Sequence, residues 1–125
     1  MPLTDAAKEI ALNALAGVNP PAQLAYVSLH SAQPNPSGSD EISGGSPAYA
    51  RAAVTWNPAA GDQINASNNP VMNVPAGTTI THVGLWSQQV GGTFLGYGAI
   101  SSGPESYGAQ GTFTLTSIVL VMQDA

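Results

Sequence analysis

The sequence predicts a mainly β protein: an antiparallel β-sandwich or squat barrel with a short N-terminal helix and long loops. Apolar residues recur at spacings of three and four only near the N-terminus, and from residue 24 onward they alternate with polar ones in short runs. Gly, Pro, Asn and Ser separate those runs, as expected of turns between short strands. A length of 125 residues suits a single domain, 1–125, that closes one core without disulfide or metal staples.

The helix is expected over about 5–16. Thr4 is a good N-cap, Asp5 sits where the helix dipole favours an acid, and Gly17 stands where a left-handed residue ends a helix. Ala7, Ile10, Ala11, Ala14 and Leu15 form one narrow face of mostly small residues, able to lie close to a sheet or a neighbouring subunit. Asn19, Pro20 and Pro21 forbid continuation.

Strands follow. "LAYVSLH" (24–30) alternates Ala25, Val27 and Leu29 against Tyr26, Ser28 and His30; "AAVTW" (52–56) and "VMNV" (71–74) come next. "TITHVGLWS" (79–87) and "TFLGYGAI" (93–100) flank "QQVGG", whose paired glycines fit a hairpin loop. "GTFTLTSIVLVMQ" (111–123) begins with Thr alternation and turns wholly apolar at Ile118, which predicts one central strand with Ser117 as a candidate bulge. The stretches 31–50 and 57–70 are irregular, and 31–50 is expected to be a projecting arm; loops of this length inside a compact domain usually have a function.

Composition narrows the function. Only 7% of residues are charged, against roughly a quarter in an average chain. Neutral polar surfaces of this kind suit a subunit packed permanently against copies or neighbours, so a homo-oligomer is expected. With two basic residues and a net charge of −5 the chain is a poor partner for nucleic acid or an anionic membrane. The aliphatic run Ile118 to Met122 is far too short to span a bilayer, so no membrane insertion is expected. The N-terminus lacks the basic region of a secretory signal, and the absence of cysteine excludes disulfides and thiolate metal sites.

Chemical motifs are weak. Ser28 or Ser31 with His30 and Asp40 or Glu41 could be drawn into a triad, but no G-x-S-x-G places the nucleophile on a sharp turn. His30 and His82 lack metal-ligand spacing, and no Asp-rich loop supports calcium. "GGTFLGYG" (91–98) is not in G-x-G-x-x-G order, and no Gly-Lys pair offers a P-loop. The expectation is therefore no catalytic residue, no metal and no cofactor.

The residues singled out are expected to serve interfaces or recognition. Arg51, alone of its type, has many backbone carbonyls to satisfy, and Glu41 or Asp40 is its natural partner, a pair that would clip the arm to the next strand. Tyr49, Tyr107 and Trp56 are candidate contacts for a sugar ring or protein partner, since a ring gives large contact area at small entropic cost. Trp86 belongs to the expected hairpin and is assigned to packing.

"LTDAAKEIALNALAG" (3–17), "AYVSLHSAQP" (25–34), "SGGSPAYARAAVTW" (43–56) and "VPAGTTITHVGLWS" with "GGTFLGYG" (74–98) together resemble a family of small tailed-phage virion proteins, described as tail fibre, minor tail or capsid-decoration proteins. The resemblance covers most of the chain. It implies a non-enzymatic structural role on the virion, made in the host cytoplasm, with other capsid or tail proteins as partners. A receptor- or glycan-binding module displayed on the particle, facing a host-surface glycan, is the alternative. The chain has no triple-helical, heptad or repeat shaft, so a compact decoration or minor tail subunit is expected rather than a fibre.

Overall fold

The computed structural model describes residues 3–16, 24–61, 63–116 and 118–121. Among the described residues one helix, α1 (Asp5–Ala16), precedes ten short strands: β1 (Tyr26–His30), β2 (Ala52–Ala53), β3 (Gln63–Asn65), β4 (Val71–Val74), β5 (Thr78–Ile80), β6 (His82–Trp86), β7 (Phe94–Ala99), β8 (Glu105–Tyr107), β9 (Gly111–Thr114) and β10 (Val119–Val121). They form a four-stranded sheet in the order β2-β1-β6-β7 and three two-stranded pairs, β10-β3, β4-β9 and β5-β8, all antiparallel. The mainly β class with a short N-terminal helix is as the sequence predicts. The barrel alternative is not: the described strands do not close on themselves.

Period-two alternation builds both faces of the large sheet. Val27 stands opposite Leu85 and Leu29 opposite Val83, so these four side chains share one face and enter the core with Met72, Val74, Ile80, Phe113 and Ile118. The other face carries Ser28, His30 and Trp86, and it is not solvated as an exposed polar face would be. Ser28 and His30 both have 0% exposure, because the 31–50 segment folds back over them. The expected projecting arm is thus laid on the sheet.

The helix begins where the N-cap predicts. Thr4 Oγ1 accepts the amide of Ala7 at 3.2 Å and itself donates to the Phe94 carbonyl at 2.9 Å, tying the cap to β7. Leu3 bridges Gly96, so the residues ahead of α1 cover part of the β7 edge. Ala7 is buried and Leu12, off the narrow face, is exposed. Gly17 and the Pro20–Pro21 stop lie outside the described residues.

Three expected strands are corrected. The 79–87 run is two strands, β5 and β6. At Thr81 the chain changes partner: its amide donates to the His30 carbonyl and its carbonyl accepts from Ile100. The 111–123 run is not one central strand: β9 pairs with β4 and β10 with β3, each with a single strand partner among the described residues. Ser117, the expected bulge, lies outside the described residues. The 52–56 strand shrinks to β2, while Trp56 leaves the large sheet to bridge Ala66. By contrast β4 keeps its expected bounds, and β6 pairs with β7 across the glycine loop with an irregularity at Leu85/Trp86.

Candidate functional site

The arm closes on itself before it closes on the sheet. The Ser31 amide donates to the Asp40 carbonyl and the Ile42 amide to the Leu29 carbonyl, while the Asn35 side chain accepts from the amides of Ser37 and Ser39. These are local Asx-type bonds that Asn makes readily in turns. Ile42 is then buried in the core, and Gly38 sits so close to the ring of Trp86 that a β-carbon there would collide with it. Further on, Gln110 receives the Ser46 amide and donates to the Pro47 carbonyl, and Asn73 donates to the Ala48 carbonyl, so the arm also touches β4 and the loop before β9.

Beneath the arm runs a directed chain of hydrogen bonds. His30 Nδ1 lies 2.7 Å from the Ser39 carbonyl, which can only accept, so Nδ1 carries the proton. In the neutral ring Nε2 is then an acceptor, and it takes the hydroxyl of Ser28 at 2.6 Å. Ser28 Oγ in turn accepts the indole N–H of Trp86 at 2.9 Å. Burial lowers the pKa of His30 below its ordinary value against the opposing pull of the Ser39 carbonyl, Glu41 and Asp40. Gly84 stands opposite Ser28, and a β-carbon there would lie within 2.6–2.8 Å of Ser28 Oγ, Phe94 and His30 Nε2; only glycine leaves room for the chain.

Alongside lies the ion pair. Arg51 meets Glu41 through two bonds of 2.9 Å, Nε to Oε2 and Nη2 to Oε1, and its Nη1 donates to the carbonyls of Gln88 and Gly91 at 3.0 and 2.8 Å. Its guanidinium carbon lies 3.6 Å from the centre of the Trp86 ring. Tyr49 donates to Glu41 Oε2 at 2.7 Å and accepts the Leu29 amide. Burial works against the charge of Glu41, but the bonds from Arg51 and Tyr49 outweigh it and hold its carboxyl below the usual value. Burial first, and the bond to Glu41 second, push the Tyr49 phenol up.

Of the six residues singled out in the sequence, Glu41, Tyr49 and Arg51 come together as one cluster. Asp40 adjoins it at a left-handed φ of 62° with an exposed side chain. Trp56 and Tyr107 lie elsewhere: Trp56 donates its indole N–H to the Leu24 carbonyl at 2.7 Å, and Tyr107 donates to the Thr112 carbonyl at 3.0 Å. Sequence reasoning missed Ser28, Trp86 and the loop carbonyls of 88 and 91 as members of the site. Spacing of two puts Ser28 and His30 on one strand face, but only the folded arm buries them. Among the described residues no group of three His, Asp or Glu side chains could hold a metal ion.

No curated protein matches the chain. A family model described as podophage GP4 fiber I protein gp80 matches residues 2–122. That finding sets aside the expectation of a decoration or minor tail subunit in place of a fibre, which rested on the missing shaft repeat. With the match running over nearly its whole length, the chain belongs to the podophage fiber I protein family and is a structural component of the virion tail fibre.

Proposed function

We propose that the chain works without catalysis, as a β module of the fibre that joins neighbouring tail proteins, including copies of itself, through helix α1. The observation that supports this is the inward direction of its chemistry. Ser28 and His30 have no exposed surface on which a substrate could react, and Glu41, Tyr49 and Arg51 direct their polar atoms at one another and at the backbone. The polar groups of this cluster are therefore occupied within the chain, whereas α1, packed on β7, leaves Leu12 65% exposed to meet a neighbour. A Leu12→Asp protein should fold with unchanged thermal stability and fail to join fibres in a co-assembly assay; normal incorporation of that variant contradicts the reading.

A second reading, recognition of a host-surface glycan, draws on fibre membership and on the outer side of the arm. Gln33 donates to the Tyr97 hydroxyl at 3.3 Å, with Asn35 and Ser37 exposed on the same segment. Amides and hydroxyls beside a half-exposed ring suit a neutral sugar. Fibres carrying Tyr97→Ala, with Tyr107→Ala alongside, should lose host adsorption while assembling normally; full adsorption by both excludes it.

A further inference from the structure

The buried chain under the arm has a consequence beyond holding it down. Every bond in it has one direction: Trp86 donates to Ser28, Ser28 donates to His30 Nε2, and His30 Nδ1 donates to the carbonyl of Ser39 on the arm. A second proton on the imidazole would turn Nε2 from acceptor to donor. The Ser28 hydroxyl hydrogen would have to leave the ring for another acceptor, at a site with no solvent exposure and no room even for a methyl on Gly84. A charge placed there lacks water and lacks a free counter-ion.

The surrounding carboxylates, Glu41 and Asp40, pull toward the charged ring but do not outweigh its burial. From the arm, Glu41 is held by Arg51 and Tyr49, and the Asp40 side chain is exposed. Arg51, ahead of β2, adds positive charge. From β6, His82 stands directly opposite His30 in the register and turns its Nδ1 to Thr81 Oγ1. Trp86 on β6 and Phe94 on β7 are uncharged and close the site, with Tyr97 stacked beyond Phe94.

We propose that the 31–42 part of the arm is a proton-sensitive latch, closed while His30 is neutral and released from the sheet when its imidazole takes up a proton. In the released state the imidazole reaches water and binds its proton at the ordinary value near 6.5, so acid favours release. The device needs no particular fibre partner, and it stands or falls independently of the functional reading above.

Hydrogen exchange of the purified full-length chain tests it. After correction for the intrinsic pH dependence of exchange, protection of the Ile42 amide, which donates to the Leu29 carbonyl on β1, should fall between about pH 7.5 and 5.5, by at most about tenfold, the ceiling set by an open-state pKa near 6.5. Protection in β6 should hold. A His30→Gln protein, which cannot take up the proton, should lose this pH dependence. Should that variant not fold, NMR of the two histidines, assigned with His82→Gln, decides instead: His30 must titrate below 6.5. Arm protection that stays constant across this range, or a His30 that titrates at or above 6.5, overturns the proposal.

Discussion

Arg51 gives up its water to four hydrogen bonds and an indole ring at once, which makes its partner Glu41 expensive to remove. Arg51 and Glu41 side chains are 9% and 21% exposed, so Glu41→Ala leaves a nearly buried cation unpaired and should cost about 3 kcal/mol in urea unfolding. The same carboxylate sets an acid limit. Its folded pKa is depressed below 4.5, so its stabilisation is complete above that value and is lost as pH falls through the folded pKa; unfolding midpoints of the wild type should drop below about pH 4.5 by more than those of Glu41→Ala. That Arg51 pairs with an acid of the arm was legible in the sequence, because a lone arginine in a chain so poor in charge has few partners, but the choice of Glu41 over Asp40 was not. Ser28 and His30 were not, since their burial depends on a segment that follows them in sequence and covers them only in the folded chain.

At the scale of elements, α1 and β4 were legible to the residue because each carries its own signal: a Thr4 cap with a narrow small-residue face, and a four-residue run between turns. The hairpin of β6 and β7 was legible through its glycines, two of which, Gly91 and Gly92, adopt the left-handed φ that the loop requires. The splits at Thr81 and after Thr114 were hidden. Alternation reports which face a side chain takes, not which strand lies alongside, so a chain can change sheets without breaking its period. The Thr4 cap makes an element-scale prediction: Thr4→Ala removes both the cap and the bond to the Phe94 carbonyl, and should destabilise the protein by about 1 kcal/mol or more in thermal unfolding, with protection lost first in α1.

For the whole molecule, the low charge that suggested assembly agrees with membership of a fibre, and the missing shaft repeat misled because it speaks only for fibres wound from heptads or short repeats. This chain instead spends its length on small antiparallel pairs fastened by a folded-back arm, a shape that carries no periodic signature. Its place in the virion is therefore the central matter. Cryo-electron microscopy of intact particles, with the chain labelled through an epitope inserted between the exposed Ser101 and Ser102, tests this most directly. Label confined to the tail fibres is the predicted result, and label on the capsid shell, or none on the particle, would contradict the account.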